Sequence, residues 1–293
     1  MGILYLVATP IGNLEDITPR ALRILGDVPL IAAEDTRHTG HLLRHFGLST
    51  PLVSYHAHNE RSRRNELIAH LASADLALVS DAGSPGISDP GHDLIRAAID
   101  AGQTVTPIPG PSAVIAAVTA SGLVPGPFLA LGFLPRRGRE RSVTLARAAA
   151  AGVPIALFES AERLAATLRD VADVLGDRPA AVMRELTKLH EAARHGTLRE
   201  LAAHFDSPPR GEVVVVVGGT DRVAGDQGDA EEVVATLLQS GLSPSHVARE
   251  AAAITGRPRS ELYDLARHMG AANDAGGKTA NRRVATPSAT GRG

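Results

Sequence analysis

Apolar runs of strand length alternate with helical patterns along the first 124 residues. The runs are "ILYLVA" (3–8), "VPLIAA" (28–33), "LALVS" (76–80) and "TVTPI" (104–108). Helical patterns lie between and after them, over 18–26, 38–46, 60–73, 91–101 and 112–121. The first opens on Thr18 as N-cap, with Pro19 in the first turn. In 91–101, Leu94, Ile95, Ala98 and Ile99 recur at spacings that predict one apolar face. Such alternation predicts an α/β fold with a largely parallel sheet and helices on both faces.

After "GLVPGP" (122–127) the rhythm changes. "FLALGFL", "VPIALFES", "AAVMRE", "EAARHG" and "GEVVVVVGG" read as strands, several with little helix between them. They predict a second α+β domain with a mixed or antiparallel sheet. "DRVAGDQGD" (221–229) reads as a hydrophilic linker, and 230–269 as a compact helical unit broken at Ser243 and at Arg257-Pro258. Beyond Gly270 large apolar residues almost vanish, which predicts disorder. The expected organisation is an N-terminal α/β domain over 1–124, a second domain over 125–220, a small helical domain over 230–269 and a disordered tail over 271–293.

Composition narrows the class. Of 293 residues 44% are hydrophobic and 21% charged, a globular balance, and with 3% aromatics and no Trp the cores must be aliphatic. A formal charge of -2 offers no global attraction to nucleic acid or anionic membrane, so any such partner must meet a local patch. The absence of cysteine excludes disulfides, thiolate metal sites and a Cys nucleophile, and fits a cytosolic setting. Residues 104–135 carry no charge, but six prolines break them, so they read as strand, loop and helix of a soluble chain rather than a membrane span.

Candidate chemistry gathers where strands end. "TPIGN" (9–13), "DAGSPGISDPG" (81–91) and "PGPSA" (109–113) follow predicted strands, and in a parallel sheet such loops converge on one ligand-binding edge. No G-x-x-x-x-G-K-[ST] or G-x-G-x-x-G is present as a phosphate cradle. "AAEDTRHTG" (32–40) places Glu34, Asp35, Arg37 and His38 on the same edge. These residues suit positioning of a hydroxyl or binding of a cation, and equally a helix cap with a charge pair. "MRELTKLHE" (183–191) offers Arg184, Glu185, Lys188, His190 and Glu191, or a solvated charged turn. His38 and His41 have helical spacing and "HAH" puts His56 and His58 on one strand face, but without an H-E-x-x-H pattern no metal site is assigned. "RRGRER" (136–141) is either a flexible grip for phosphates or a solvated loop.

Seven stretches carry a resemblance: "ATPIGNLEDITPRAL", "AAEDTRHTG", "VSDAGSPGISDPG", "PGPSA", "GFLPRRGRER", "FES" and "RELTKLHE". In this order, over about residues 3–219, they closely resemble the bacterial ribosomal RNA small subunit methyltransferase I family of the tetrapyrrole-methylase fold. Residues 230–269 are similar to the extra C-terminal domain of many members. The resemblance implies S-adenosylmethionine-dependent methylation of the 2'-hydroxyl of a cytidine in the decoding region of 16S rRNA. It also implies a homodimer of two-domain subunits with the cofactor in the cleft between domains. Cofactor contacts are implied at Pro10, in the turn Asp81, Ala82, Gly83 and Ser84, and at Ser112 and Ala113, with Phe158 and Leu186 closing the pocket. Related members often read glycine-aspartate-proline where this chain has "SDAGS", so Ser80 and Ala82 replace the flanking residues.

Under that reading, Glu34, Asp35, Glu185 and Lys188 are candidates to accept the hydroxyl proton, Lys188 only if burial lowers its pKa. The segments Glu34–Arg37 and Glu185–Lys188 are expected to face the methyl group from opposite domains. Arg136, Arg137, Arg139 and Arg141 are the expected phosphate contacts. Two rivals stand beside it: a methyltransferase of the same fold acting on a tetrapyrrole or other small molecule, and a non-catalytic cofactor sensor or RNA-binding module.

Overall fold

The computed structural model describes residues 2–220 and 227–280. The first half forms a five-stranded sheet of β1 (Ile3–Val7), β2 (Ile31–Ala33), β3 (Leu52–Ser54), β4 (Leu76–Val79) and β5 (Thr104–Ile108). Its order is β3-β2-β4-β1-β5 and every pair is parallel. The helices are α1 (Pro19–Asp27), α2 (Thr36–His45), α3 (Glu60–Leu71), α4 (His92–Asp100) and α5 (Ala113–Ser121). Thr18 caps α1, its hydroxyl accepting from the Ala21 amide at 3.1 Å. Every residue of β4 is buried, as its unbroken apolar run requires of a central parallel strand. One face of the sheet packs Ala21, Ile24, Leu25 and Leu42 of α1 and α2. The opposite face packs Leu67, Leu71, Leu94 and Ala98 of α3 and α4.

Two local expectations are corrected. Ile99 is 53% exposed while Leu94 and Ala98 are fully buried. At 3.6 residues per turn it lies about 140° around the helix from Leu94, past the edge of the covered face. "HAH" is not strand: β3 ends at Ser54 and residues 57–59 form a turn. Asn59 makes that turn, its side chain accepting from the His56 amide at 2.8 Å and donating to the Ser54 carbonyl at 3.1 Å.

The second sheet is β6 (Leu129–Phe133), β7 (Ile155–Glu159), β8 (Pro179–Arg184), β9 (Ala192–Thr197) and β10 (Val213–Val217), in the order β6-β7-β10-β8-β9. Only β6 and β7 run parallel, so the sheet is mixed. Helices α6 (Arg139–Ala151), α7 (Leu164–Leu175) and α8 (Leu198–His204) pack Leu145, Leu164, Leu168, Leu198 and Leu201 on one face. The other face receives α5, whose Val114 and Ala117 meet Ala156, Ala181, Met183 and Val214. A helix of the first half thus covers the second sheet, and the two sheets share a cleft at its N-terminus.

Helices α9 (Gln227–Gln239), α10 (Pro244–Thr255) and α11 (Arg259–Ala280) form the C-terminal unit. Val233, Leu237, Val247, Ala251 and Leu262 pack together and onto Val143 and Ala146 of α6. Helix α9 begins inside the expected linker, and residues 221–226 of that linker lie outside the described residues. Helix α11 extends over the first ten residues of the expected disordered tail, and 281–293 also lie outside. Among the described residues no helix is long and apolar enough to cross a membrane.

Candidate active site

The loops after β1, β2, β4 and β5 share the carboxyl edge of the parallel sheet, and two of them are stitched together. The Thr9 amide donates to the Gly83 carbonyl at 2.9 Å and the Gly83 amide to the Thr9 carbonyl at 3.0 Å. The buried Thr9 hydroxyl donates to the Ser80 carbonyl at 3.1 Å. Gly83 has φ of 76°, a backbone setting that a side chain would strain.

Between the sheets lies a cavity of about 660 Å³. Ala82, Gly83, Ser84, Ser112 and Ala113 line it from the first half, and Phe158 and Leu186 from the second, together with Ile11, Phe133, Met183 and Val214. Seven of the nine expected cofactor contacts therefore share one wall system. The Ser112 hydroxyl caps α5, accepting from the Ile115 amide at 3.4 Å. The Phe133 and Phe158 rings lie 5.3 Å apart.

The other two, Pro10 and Asp81, line a neighbouring cavity of about 550 Å³. It adjoins the first through Ile11, Ala82 and Glu212, which border both. Its remaining walls include His38, His41 and His45 of α2 and Lys188 from the opposite half. The halves meet closely here: a Cβ on Gly12 would come within 2.5 Å of Lys188 Cγ.

Lys188 Nζ donates to Glu185 Oε1 at 2.9 Å and to Glu212 Oε2 at 3.0 Å. Burial works to lower its pKa, but the two carboxylates outweigh burial and raise it. The expectation that Lys188 acts as a base depended on the opposite shift, so it is corrected: Lys188 remains an ammonium. The Glu212 amide and the Lys188 ammonium hold the Glu185 carboxyl below the usual range, which makes Glu185 a poor proton acceptor. Glu185 itself sits at φ of 51°, a left-handed setting rare outside glycine.

Asp35 realises the capping reading. It caps α2, accepts from the Arg37 amide at 2.8 Å and pairs with the Arg37 guanidinium at 3.0 Å, which holds its carboxyl at about 2. Arg37 is 88% exposed at its side chain and lines neither cavity of the cleft. Asp35 and Glu34 also line neither cavity, and of this segment Glu34 alone has its carboxyl raised. Its carboxylate accepts from the Asp81 amide at 3.4 Å, and burial raises its pKa.

Asp89, which the sequence did not single out, lines the larger cavity. Burial, followed by the nearby charge of Glu34, pushes its carboxyl up to about 6. Nothing in the spacing of "ISDPG" announces this, because Glu34 comes from a different strand end. Glu34, Asp81 and Asp89 thus crowd three carboxylates together, Asp81 lining the smaller cavity, Asp89 the larger and Glu34 neither. Among the described residues no group of three or more such side chains is placed to hold a metal ion.

The basic segment divides. Arg136 and Arg137 are exposed and make no hydrogen bond or ion pair among the described residues. Arg139 pairs with Glu250 of α10. Arg141 is 8% exposed: its guanidinium donates to Asp170 at 2.8 Å, Thr167 Oγ1 at 3.2 Å and the Pro135 carbonyl at 3.0 Å. It is removed from the expected phosphate contacts, because it enters the first turn of α6 facing α7 with its donors already engaged.

A family model described as Tetrapyrrole (Corrin/Porphyrin) Methylases matches residues 3–202, and one described as the RsmI C-terminal HTH domain matches 224–269. A Synechocystis sp. protein named ribosomal RNA small subunit methyltransferase I is 48% identical over 271 residues, covering 90% of this chain and 97% of its own. A Bacillus subtilis protein of the same name is 42% identical over 273 residues, covering 90% and 94%. Among solved structures, uroporphyrin-III C-methyltransferase from Thermus thermophilus, complexed with S-adenyl homocysteine, superposes with a TM-score of 0.54 at 20% identity. That match covers 74% of this chain and 97% of the other, a likeness of fold.

Proposed function

The chain belongs to the ribosomal RNA small subunit methyltransferase I family, and from that premise we propose that it methylates the ribose 2'-hydroxyl of a cytidine in the decoding region of 16S rRNA, with S-adenosylmethionine as methyl donor. The observation that carries the reading is the pair of adjoining cavities at the carboxyl edge of the first sheet, the larger walled from both halves and the smaller bordered by His38, His41, His45, Asp81 and Lys188.

The larger cavity suits the donor. Its volume falls within the ~300–1,000 Å³ usual for small-molecule sites. Ile11, Phe133, Phe158, Met183 and Leu186 supply apolar wall for a nucleoside. S-adenosylmethionine bound there would provide an electrophilic methyl group on a positively charged sulfur. The chain supplies alignment, a displacement line between two adjoining sites, and proximity of this kind contributes ~7–11 kcal/mol in favourable cases. The hydroxyl proton passes to Asp89, whose carboxyl, pushed up to about 6 by burial and then by the charge of Glu34, suits an acceptor near neutrality. Lys188, held cationic by Glu185 and Glu212, fixes charge on the opposite side of the second cavity. Arg136 and Arg137 meet rRNA phosphates. A homodimer and a cytoplasmic setting belong to the same reading; sedimentation at two protein concentrations checks the first.

The rival of the same fold, acting on a tetrapyrrole, draws on solved structures that share 16–21% identity and therefore the fold only. The decisive experiment incubates small subunits from a strain lacking this activity with labelled S-adenosylmethionine and maps the label. One labelled cytidine ribose is expected; label on a base, or on a tetrapyrrole and not on subunits, overturns the reading. Glu34→Ala and Lys188→Ala should lose turnover while S-adenosylhomocysteine affinity stays within a few-fold; unchanged turnover in both removes the roles given them.

A further inference from the structure

A buried chain of polar contacts runs from the wall of the larger cavity to the stem of the basic turn. Glu159, at the end of β7, lines that cavity and is 2% exposed. One of its carboxylate oxygens accepts from the Ser160 amide at 2.8 Å. The other accepts from the Thr167 hydroxyl at 2.6 Å and pairs with the Arg163 guanidinium at 3.1 Å. Thr167 Oγ1 in turn accepts from Arg141. Both arginines then grip the chain just before the basic turn, Arg163 at the Leu134 carbonyl (3.1 Å) and Arg141 at the Pro135 carbonyl (3.0 Å). The two residues that follow, Arg136 and Arg137, are exposed.

A solvated loop has no need of this arrangement. Buried ion pairs add little stability over apolar residues of similar size, because desolvation offsets their attraction, which leaves the setting of geometry as the role to test for this one. We propose that Thr167 and Arg141 are positioning residues for the rRNA substrate. Through Pro135 they hold the turn bearing Arg136 and Arg137 in a set relation to the cavity wall at Glu159. Phosphates gripped by those two arginines are then placed so that the target ribose enters the cleft. The proposal rests on the rRNA reading above.

The test is Thr167→Val, which removes the linking hydroxyl at nearly constant shape; neither Thr167 nor Arg141 lines the two cavities. KM for small subunits should rise about tenfold, the size of one lost hydrogen bond to a charged group. Turnover at saturation and S-adenosylhomocysteine affinity should stay within about twofold, and the salt dependence of subunit binding should flatten. Thr167→Ser should restore wild-type behaviour. Adding Arg136→Ala and Arg137→Ala to Thr167→Val should raise KM by less than the same pair does in the wild type, because the variants disable one contact. If Thr167→Val folds poorly, Arg141→Lys, which keeps a charge beside Asp170 but cannot span Thr167 and Pro135, should give the same KM rise. Wild-type KM and salt slope in the variant that folds overturn the proposal, as does cofactor affinity lost by the same factor as KM. Wild-type protein that methylates no subunits overturns the rRNA reading and the proposal with it; an active wild type with an unmoved variant overturns the proposal alone.

Discussion

Asp89 owes its state first to burial and then to the charge of Glu34, which is distant in sequence. With its carboxyl raised from 3.8 to about 6, native Asp89 keeps a proton that the unfolded chain has released between those values. Stability from this group is therefore highest below about pH 4, falls as pH rises to about 6, and stays reduced above. Asp89→Asn should raise stability at pH 7 by about 1–2 kcal/mol, discounted for partial solvent screening, with the gain gone at pH 4; thermal melts at the two values check it. The same variant should slow methylation, since the carboxylate is lost. Asp89 lies inside a stretch that the sequence marks as a ligand wall, yet its ionisation was not legible there, because its burial and the Glu34 charge from another strand end are both set by the fold. Lys188 and Arg141 make the same point: residue type and position could be read, but partners could not. Glu185 and Glu212 reverse the shift a base would need, and Asp170 with Thr167 turns a phosphate contact into an anchor.

At the level of elements the apolar pattern carried far. Five consecutive buried valines make β10 a central strand, paired with both β7 and β8, and such runs were readable as strands. Their neighbours were not: β1 lies between β4 and β5, an order that periodicity does not encode. Nor did the charge-free sequence of α5 say which sheet it covers. Ile99 shows the limit of spacing alone, and a paired test quantifies it. Leu164→Ala, fully buried in α7, should cost ~2–5 kcal/mol in urea unfolding. Ile99→Ser, at an exposed position of α4, should stay within about 0.5 kcal/mol of wild type.

Over the whole molecule a net charge of -2 leaves RNA association to a local feature. Arg136→Ala with Arg137→Ala should reduce the slope of log affinity against log salt by about 1.4–1.8, the loss of two phosphate contacts; titrations at four salt concentrations measure it. The two halves also meet across Gly12. A methyl group there intrudes on Lys188, so Gly12→Ala should weaken S-adenosylhomocysteine binding severalfold without a matching loss of secondary structure, as calorimetry beside circular dichroism will report. The reciprocal Thr9–Gly83 bond pair has a kinetic corollary. Because these two amides already close on each other in the protein alone, their protons should exchange with deuterated solvent as slowly as those of β1 before any nucleoside is added. Addition of the nucleoside should then quiet the loop tips and leave this seam unchanged.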